Sequence, residues 1–518
     1  MAFVLIGFMG AGKSTVAGEL AAELGVTALD SDTLLEERLG HPVAAEFELH
    51  GEESFRAKEE QLVCELLDEA RPDAVIALGG GSVTSERVRR ALAGHIVVLL
   101  DVDANTAWER VHATPEGALR PLARDRGDFR ALHASRRAVY EGLADAVIPD
   151  PPMGGAARVL GALRSLSAAP EGTRLLWARS ASGEYPVLVG RGLLEALDDE
   201  QRGSVWPLDH SRSRPFLVSD VTVTALYGGR LGRMAGTVAI SPGEEHKTLA
   251  SAEQVWQALL GGGMTRADHV VALGGGVVGD LAGFCAATYQ RGVPVVQVPT
   301  TLVAQVDSAY GGKTGVDLPD AKNYVGVYHQ PAGVLVDPDT LDTLPPAELA
   351  AGWVEVLKTA LIAGGRLWER VSAGGPADVE VILACVRTKL AVVAADERDD
   401  GRRQVLNLGH TVGHAIETAT GYGRLRHGEA VGLGLLAALR LSGQEELRSR
   451  VRELLSEREL PVTLAGIEPD AVLDALARDK KRVGDSVPFV LVSAPGEVRH
   501  GAELPAADVR AAVAELSP

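Results

Sequence analysis

The chain has 518 residues, which is too long for one hydrophobic core and predicts three or more folding units at roughly 150 residues each. Hydrophobic residues make up 46% and charged residues 23%, as in ordinary globular proteins, so disorder is not expected. The formal net charge of −19 argues against nonspecific nucleic-acid binding, because a phosphate backbone is bound by clustered Lys and Arg.

Cysteine usage and hydropathy indicate the cellular compartment. Cys64, Cys285 and Cys385 are the only cysteines and show no CxxC spacing, which excludes a disulfide scaffold and fits a reducing compartment. The segment MAFVLIGFMG is apolar but has no basic leader or cleavage site, and no run of about twenty apolar residues occurs. We therefore expect a cytoplasmic protein without a membrane span.

Residues 1–168 alternate apolar runs with helical stretches. FVLIG, AVIAL (Ala74 to Leu78) and HIVVLLD (His95 to Asp101) predict buried parallel strands, because they lack polar alternation. DPPMGG at Asp150 interrupts the pattern, a helical AARVLGALRSL follows, and SAAPEGT has the composition of a linker. We expect an α/β domain that ends near residue 170.

Residues 169–518 form the second predicted domain. PVLVG, PFLVSD, GTVAI, DHVVALGGG and PVVQVP predict short parallel strands between helices, up to about residue 343. From Pro345 onward long helical patterns dominate, such as AELAAGWVEVLKTALI and HTVGHAIETAT. The sequence thus predicts an α/β nucleotide-binding lobe (about 172–343) and a mainly helical lobe (about 344–518), with a site in the cleft between them.

A phosphate-binding motif stands at the start of the chain. GFMGAGKS, from Gly7 to Ser14, matches GxxxxGK[ST] directly after an apolar strand and before a helix. In this context Lys13 would neutralise the β and γ phosphates of ATP, and the Ser14 hydroxyl would hold Mg²⁺. The predicted ATP-binding residues are Gly10, Gly12, Lys13, Ser14 and Thr15.

Carboxylates and arginines follow the motif. Asp30 and Asp32 end the next short strand, where one could orient metal-bound water and the other could accept a proton from a substrate hydroxyl, although such a pair is often a helix N-cap. FRAKE, the glycines 79–81, RPLARD and SRRAVYEGLAD add arginines that can grip a carboxylate and a turn that allows close approach.

Taken in order, these motifs resemble those of shikimate kinase. The resemblance implies a P-loop NTPase fold in which shikimate is held by Asp32, Arg56, Gly80, Gly81 and Arg136. Asp32 would also lie near the reacting 3-hydroxyl, Arg120 would belong to the lid over ATP, and Asp30 would support Mg²⁺ indirectly. The predicted catalytic residues of this half are Lys13, Asp32 and Arg120. The spacing to Tyr140 favours Arg136 over Arg137.

A second glycine-rich turn, GGGVVGD, follows the apolar strand VVAL and opens a helix. Its glycines, including Gly275 and Gly276, could bring backbone amides against a pyrophosphate, but the turn lacks the GxGxxG spacing. Asp280 at the end of the motif is also predicted to bind the cofactor. Polar residues end the neighbouring predicted strands, and together with the turn they favour NAD over a chance turn. These residues are Asp220, Glu244, Lys247, Thr300 and Thr301.

Histidines cluster in the helical lobe. His410 and His414 stand one helical turn apart, His427 follows, and Glu355 lies in GWVEVLK. Spacing alone favours the His410 and His414 pair as metal ligands.

From about residue 172 to the C-terminus the chain resembles 3-dehydroquinate synthase. The motifs that carry the resemblance are GGGVVGD, QRGVPVVQVPTT, VDSAYGGKTGVD, KNYVGVYHQP, EVLKTALI, NLGHTVGHAIE and RHGEAV. The resemblance implies that Glu355, His410 and His427 bind Zn²⁺ (or Co²⁺), and that His414 lies near the substrate phosphate and hydroxyl. It also implies a homodimer formed through this half.

Basic residues inside these motifs indicate an anionic substrate in a chain of net charge −19. By the resemblance Asp307 would hold hydroxyls, Arg291 would contact phosphate from a neighbouring subunit, and Lys322 and Thr343 would join the NAD site. Lys313, Asn407 and His414 are the predicted catalytic residues. The predicted substrate-binding residues are Arg291, Asp307, Lys313, Asn323, Lys358, Lys389, Arg403, Asn407 and His414, with Lys480 or Lys481 left open.

The expected function is therefore bifunctional. One half would phosphorylate shikimate, and the other would convert 3-deoxy-D-arabino-heptulosonate 7-phosphate to 3-dehydroquinate. Three alternatives remain: a metal-dependent NAD alcohol dehydrogenase, a cyclase acting on another sugar phosphate, or a first half that only binds nucleotide and regulates the second. Lys313, Asn323, Lys358 and Lys389 speak against the dehydrogenase, because that reaction needs no phosphate clamp.

Overall fold

The computed structural model describes residues 1–113, 121–149, 156–197, 205–208, 212–319, 321–421, 423–477 and 487–517. The chain forms two compact units. The first consists of Met1–Ala178, Pro186–Leu188 and Gln201–Pro207, and the second of Arg179–Tyr185, Val189–Glu200 and Leu208–Pro518. In the described part of the chain, no helix combines the length and apolarity needed to cross a bilayer.

The strands are numbered in chain order. They are β1 (Phe3–Ile6), β2 (Ala28–Asp30), β3 (Val75–Ala77), β4 (Ile96–Asp101), β5 (Ala146–Pro149), β6 (Arg174–Ser180), β7 (Gly183–Val189), β8 (Pro215–Asp220), β9 (Gly236–Ile240), β10 (His269–Gly274), β11 (Val295–Pro299), β12 (Lys313–Leu318), β13 (Ala321–Tyr328), β14 (Gly333–Val336), β15 (Phe489–Ala494) and β16 (Glu497–Ala502).

The α-helices are named by their bounds. In the first unit they are Lys13–Leu24, Ser31–Leu39, Val43–Asp68, Glu86–Leu92, Ala104–His112, Arg126–Leu143 and Ala156–Ala168. In the second unit they are Leu193–Ala196, Val221–Tyr227, Leu249–Gly261, Gly276–Thr288, Pro346–Ala363, Gly365–Ser372, Val379–Ala395, His410–Ala419, His427–Leu441, Glu445–Ser456, Pro469–Leu476 and Ala506–Ala514.

A parallel sheet forms the centre of the first unit. Its strand order is β2-β3-β1-β4-β5, with β6 parallel to β5. The strands β1 and β3 are buried along their whole length, as expected for a sheet covered on both faces. Because these neighbouring strands are parallel, the loops that follow β1, β2 and β3 lie at the same edge of the sheet.

In the second unit, parallel strands follow the order β14-β11-β10-β8-β9. Apolar side chains of β8 and β10 pack against the helices Leu249–Gly261 and Gly276–Thr288, and the core includes Val255, Val270, Leu281 and Phe284. The turns after β8, β10 and β11 therefore share the carboxyl edge of this sheet, where nucleotides bind in open α/β folds.

The helical part beyond Pro346 brings distant segments close together through glycines. A Cβ on Gly434 would lie 1.9 Å from the carbonyl oxygen of Gly409, and one on Gly428 would lie 1.9 Å from that of Ala351. Both positions therefore require glycine. Because of this close packing, the helices Pro346–Ala363, His410–Ala419 and His427–Leu441 meet at the positions that carry the predicted metal ligands.

The strand PVLVG differs from its prediction. The strands β6 and β7 are joined only by Ala181 and Ser182, which is too short for a parallel crossover, so this segment runs antiparallel to β6. The sequence had indicated one of several parallel strands, because apolar runs do not reveal strand direction. Two antiparallel hairpins, β12-β13 and β15-β16, were also not predicted.

The tip of the β6-β7 hairpin belongs to the second unit. The backbone N–H of Ser182 donates to the Glu397 carboxylate at 2.9 Å, and the Ser182 hydroxyl donates to the same carboxylate. The Tyr185 hydroxyl accepts the N–H of Gly311 at 3.3 Å. These bonds attach the start of the second unit to the loop that carries Arg403.

Candidate functional sites

The loop between β1 and the helix Lys13–Leu24 depends on glycine. Gly7, Gly10 and Gly12 have φ values of 147°, 81° and 81°, which side chains rarely allow. A Cβ on Gly10 would also lie 2.5 Å from the carbonyl oxygen of Ala107. The backbone thus takes the tight path that a phosphate-binding loop requires.

Lys13, Ser14 and Asp30 lie at this loop. The Lys13 ammonium donates to the carbonyl oxygens of Gly7 and Phe8 at 2.9 and 3.2 Å. Ser14 and Thr15 are exposed, and the Ser14 hydroxyl donates to Asp30 Oδ2 at 2.6 Å. A hydroxyl next to a carboxylate suits a magnesium ion.

Asp30 also caps the helix Ser31–Leu39. Its Oδ1 accepts the backbone N–H of Asp32 at 3.0 Å and that of Thr33 at 3.3 Å. The N-cap alternative therefore accounts for one oxygen of Asp30, while the other contacts Ser14. Asp32 itself is not the cap.

Three side chains predicted to bind substrate approach the glycine turn 79–81. A Cβ on Gly79 would lie 2.5 Å from Asp32 Oδ1, and one on Gly81 would lie 2.1 Å from Arg56 Nη1. The buried Arg136 donates to the carbonyl oxygen of Gly80 at 3.2 Å. Only glycine leaves room for these contacts, so the turn and the side chains form one arrangement.

Arg136 and Arg137 differ in their surroundings. Arg137 is exposed and pairs with Glu141 at 2.7 Å, whereas Arg136 shares the Gly80 carbonyl with the hydroxyl of Tyr140. Burial raises the pKa of Tyr140 to about 12, so its hydroxyl remains a donor. Arg136 is thus the arginine located at the turn.

Glu59, the last residue of FRAKE, contacts the predicted site but was not singled out from the sequence. This buried carboxylate accepts from Arg56 Nη1 at 2.6 Å and from the Ser82 hydroxyl at 2.9 Å, and so orients Arg56. The (i, i+3) spacing from Arg56 was the available signal. Arg56 and Gly81 line a cavity of about 330 Å³.

Arg120 lies outside the described residues.

In the second unit, Gly275 and Gly276 begin the helix that follows β10. A Cβ on Gly275 would lie 2.9 Å from Thr301 Cγ2, so the turn packs closely on the residues that follow β11. The Thr300 N–H donates to the Gly274 carbonyl at 3.0 Å. Among the described residues, the buried Thr300 hydroxyl has no hydrogen-bond partner, which fits a binding site for a polar ligand.

Asp220 and Thr343 take part in structural hydrogen bonds. Asp220 ends β8 and caps the helix Val221–Tyr227 through bonds to the N–H groups of Thr222 and Val223, at 2.8 and 2.9 Å. Thr343 shares a hydrogen bond with the Tyr227 hydroxyl and donates to the Thr340 carbonyl. Their roles toward a dinucleotide stay predictions.

Glu244, Lys247 and Asp280 form a network of opposite charges. The buried Lys247 ammonium lies 3.0 Å from Glu244 Oε1 and 3.2 Å from Asp280 Oδ2. Burial lowers the pKa of Lys247, but the carboxylates of Asp280 and Glu244 outweigh burial and raise it. Burial raises the pKa of Asp280 to about 6 against the opposing effect of Lys247. The network holds a cation beside the glycine turn.

Glu355, His410 and His427 come together although they lie on three helices. Glu355 Oε1 is 3.6 Å from His410 Nε2 and 3.4 Å from His427 Nε2. This oxygen is buried and has no hydrogen-bond partner among the described residues. The three ligand atoms lie within 4.8 Å of one another, as metal binding requires.

The other ring nitrogens of the two histidines face acceptors. His410 Nδ1 lies 3.2 Å from the Leu408 carbonyl oxygen, and His427 Nδ1 lies 3.2 Å from Glu417 Oε2. Such partners hold the hydrogen on Nδ1 and leave the Nε2 lone pair for a metal. The donor set therefore fits a divalent cation with three protein ligands.

His414 stands beside this cluster. Its ring is 5.2 Å from that of His410 and 5.9 Å from that of His427. His414, Glu417 and His427 could also hold an ion, but both oxygens of Glu417 already accept, from His427 and from Lys322. We therefore favour the set that contains Glu355 over the pair suggested by spacing.

Asp307 lies between two ammonium groups. It pairs with the fully buried Lys358 at 2.7 Å and also with Lys389, and Lys358 contacts Glu355 as well. Burial raises the pKa of Asp307, but Lys358 and Lys389 outweigh burial and hold the pKa well below its usual value. Burial lowers the pKa of Lys389. Lys358 thus lies next to Glu355, and Lys389 reaches the same region through their shared partner Asp307.

Arg403 and Lys313 have protein partners. Arg403 is buried and donates to the carbonyl oxygens of Glu397 and Gly311, the latter at 3.0 Å. Lys313 pairs with Asp399. Two of the Arg403 nitrogens are therefore engaged with backbone, which is a structural role besides the predicted binding role.

Asn323 lies within β13, whereas Asn407 and Arg291 each end a short 3₁₀ turn. Asn323 has a φ of 52°, and its N–H donates to Asp317 Oδ1 at 2.6 Å. Asn407 ends the 3₁₀ turn Arg402–Asn407. Arg291 is exposed and has a φ of 70°. Lys480 and Lys481 lie outside the described residues.

Glu417 is the second residue that the motifs did not single out. It is buried, and its oxygens contact His427 Nδ1 at 3.2 Å and the Lys322 ammonium at 3.0 Å. Burial raises its pKa, but the contact with His427 outweighs burial and lowers the pKa to about 2. Its position seven residues after His410, on one helical face, was the available signal.

Three family profiles match the chain. They are shikimate kinase over residues 9–152, 3-dehydroquinate synthase N-terminal over 222–351 and 3-dehydroquinate synthase C-terminal over 352–482. The chain is 44% identical over 336 residues to the 3-dehydroquinate synthase of Symbiobacterium thermophilum, which covers 61% of this chain and 92% of that protein.

Two solved structures are similar to the second part of the chain. One is 2-epi-5-epi-valiolone synthase from Streptomyces hygroscopicus with NAD+ and Zn2+ bound, 28% identical with a TM-score of 0.58. The other is 2-deoxy-scyllo-inosose synthase complexed with carbaglucose-6-phosphate, NAD+ and Co2+, 25% identical with a TM-score of 0.58. Each covers 66% of this chain and 99% of the solved chain.

Proposed function

Because the chain belongs to the 3-dehydroquinate synthase family and carries a shikimate kinase domain at residues 9–152, we propose that it catalyses two separate reactions. The first is the ATP- and Mg²⁺-dependent 3-phosphorylation of shikimate. The second is the conversion of 3-deoxy-D-arabino-heptulosonate 7-phosphate to 3-dehydroquinate and phosphate, with NAD and Zn²⁺ or Co²⁺ as cofactors.

The kinase proposal is supported most by the approach of Asp32, Arg56 and Arg136 to the glycine turn 79–81. In this proposal the two arginines bind the shikimate carboxylate, and Asp32 accepts the proton of the 3-hydroxyl as it attacks ATP. Lys13 leaves the carbonyl oxygens of its own loop to bind the β and γ phosphates. Ser14, next to Asp30, holds Mg²⁺.

The synthase proposal is supported most by the Glu355, His410 and His427 cluster, in which both Nδ1 atoms face acceptors. These residues would hold the metal, while the turn Gly275–Gly276, Lys247 and the Thr300 hydroxyl would hold NAD. Bound to these residues, NAD would supply reversible hydride transfer at the substrate C5 carbon, and the metal would supply Lewis acidity at the C5 hydroxyl.

The protein groups around the cluster bind and orient the substrate in this proposal. Lys358 and Lys389, now paired with Asp307, would turn part of their charge to the substrate anions, while Asp307 accepts hydrogen bonds from hydroxyls. His414 lies 5.2 Å from His410, where it can move a proton at the substrate hydroxyl or phosphate. Lys313, Asn323, Arg403 and Asn407 complete the predicted set, and Arg291 would contact phosphate across a homodimer.

A cyclase acting on another sugar phosphate is the second candidate. Its support is the similarity to 2-epi-5-epi-valiolone synthase and 2-deoxy-scyllo-inosose synthase, at 28% and 25% identity. The 44% identity to a 3-dehydroquinate synthase favours the heptulosonate substrate. The bound NAD+ with Zn2+ or Co2+ in those two structures supports the cofactors proposed here.

The deciding experiment measures both reactions with the purified full chain. Phosphate release from the heptulosonate should require NAD and a divalent metal, and ADP formation should require shikimate and Mg²⁺. Glucose 6-phosphate serves as the control substrate for the first assay. Absence of heptulosonate-dependent phosphate release from metal-loaded protein would contradict the synthase proposal, and ADP formation that ignores shikimate would contradict the kinase proposal.

A further inference from the structure

A buried carboxylate connects the metal-ligand cluster to the charged network beside the glycine turn. We propose that Glu417 is a positioning residue that fixes His427 for metal binding and, through Lys322, links metal affinity to dinucleotide affinity. This inference rests on the proposed function of the second unit. It concerns binding rather than turnover, so each part can be measured on its own.

The first part follows from the two nitrogens of His427. Glu417 Oε2 lies 3.2 Å from Nδ1, while Nε2 faces Glu355 Oε1 at 3.4 Å. A carboxylate on Nδ1 fixes the ring plane and the tautomer and makes Nε2 a better donor. At His410 the Nδ1 atom lies 3.2 Å from the Leu408 carbonyl oxygen. At His427 the acceptor of this nitrogen is a carboxylate, so a change of its charge tests this ligand.

The second part follows from the other oxygen of Glu417. Oε1 accepts from the Lys322 ammonium at 3.0 Å, and that ammonium also lies 3.8 Å from Glu244 Oε1. The same Glu244 oxygen pairs with Lys247 at 3.0 Å. One continuous chain of opposite charges thus runs from His427 to the residues proposed to hold the dinucleotide.

The direction of the linkage follows from competition for Glu417. Lys322 and His427 share its negative charge, so any ligand that draws Lys322 away leaves the carboxylate to His427. The pyrophosphate of NAD is such a ligand, because it offers an anion to the ammonium. NAD should therefore tighten metal binding, by about fivefold or more, and the metal should tighten NAD binding by the same factor.

The test measures Zn²⁺ affinity of the full chain by competition with a chromophoric chelator, without substrate. Glu417→Gln should weaken Zn²⁺ binding by about 10- to 100-fold, because glutamine lacks the negative charge and has one oxygen where His427 and Lys322 now contact two different oxygens. Glu397→Gln is the matched control, because Glu397 is also a buried glutamate and is bonded to Ser182 and Gln330. The Zn²⁺ affinity of this variant should equal that of the wild type. Wild-type affinity in Glu417→Gln would overturn the positioning role.

A second variant tests the linkage. In Lys322→Met, Glu417 and His427 are intact, so the protein should bind Zn²⁺ at least as tightly as the wild type. Saturating NAD should then change Zn²⁺ affinity less than twofold, whereas an undiminished NAD effect would overturn the linkage. Glu417→Asp, which keeps the charge on a shorter side chain, replaces the amide variant if that variant does not fold. A wild-type chain that binds no Zn²⁺ would contradict the proposed function instead.

Discussion

The glycine loop of the first unit and the Lys358, Asp307 and Lys389 cluster of the second unit are both proposed to bind anions, but they are built differently. In the loop, Gly10 and Gly12 have φ values of 81°, and the proposed binding groups belong to the backbone and to Lys13. In the cluster, Lys358 and Lys389 are buried and already paired with Asp307. Backbone shape therefore specifies the first arrangement, and a balance of buried charges specifies the second.

The strongest test of this contrast removes a metal ligand. His427→Ala deletes one of three ligands, so phosphate release from the heptulosonate should fall by more than the 10- to 100-fold that loss of a ligand's hydrogen-bond partner costs. Shikimate-dependent ADP formation should stay at the wild-type rate in the same sample. A parallel loss of both activities would show that the two sites are not independent.

The reciprocal change removes the single lysine of the loop. Lys13→Ala should lower shikimate-dependent ADP formation by about 10²- to 10³-fold, because a positioned donor to the transferring phosphate is lost. Phosphate release by the second unit serves as the internal control and should not change. Retention of most kinase activity would contradict the assignment of Lys13.

Asp307→Asn tests the buried charge balance. The change leaves Lys358 and Lys389 close together without their carboxylate, and it should lower the free energy of unfolding of the second unit by about 3 kcal/mol. Denaturant unfolding followed by tryptophan fluorescence measures this difference. The double variant with Lys389→Met should recover part of the loss, since it removes the unpaired ammonium.

The direction of the Asp307 pKa shift determines how this loss of stability depends on pH. The pKa of Asp307 is held well below its usual value in the folded protein, so its stabilisation is present above the unfolded pKa of about 3.9 and is lost as the pH falls toward the folded pKa. The difference between the wild type and Asp307→Asn should be constant from neutral pH to about pH 5 and shrink only below about pH 4. A difference that vanished near neutral pH would contradict the ion pairs.

The smallest expected effect tests the backbone shape of the loop. Gly10→Ala should lower the free energy of unfolding of the first unit by at least about 1 to 2 kcal/mol, because alanine resists positive φ and its Cβ would lie 2.5 Å from the Ala107 carbonyl oxygen, and it should weaken ATP binding. Gly18→Ala is the matched control, since no atom lies within 4 Å of its added Cβ on the helix Lys13–Leu24. That control should raise stability by about 0.5 to 1 kcal/mol. Equal effects of the two changes would argue against a shape requirement.

Local patterns in the sequence predicted the strands and helices around both sites. FVLIG before GxxxxGK[ST] became β1 and its loop, and the apolar strand before GGGVVGD became β10, because each signal lies within one short segment. The direction of PVLVG could not be predicted, since an apolar run contains no signal for strand direction. A single connecting turn decides that direction.

Contacts between distant segments were harder to predict. Spacing suggested His410 and His414, because residues one helical turn apart are visible in a sequence, whereas Glu355 and His427 meet only through the close helix packing at Gly428 and Gly434. Glu59 and Glu417 escaped notice for a related reason. A glutamate on a helix looks like a solvated residue until its buried partner is known.

The β6-β7 hairpin has a practical consequence for dissecting the two activities. One part of β6 belongs to the first unit, yet the turn at Ser182 is fastened to Glu397 in the second. No cleavage point in this stretch would spare both. A cut before Arg174 would remove β6 from its pairing with β5, and a cut after Tyr185 would leave the buried Glu397 without the donors of Ser182. Gene truncation is therefore a poor way to isolate either catalyst, and inactivating substitutions in the intact polypeptide are the sounder route.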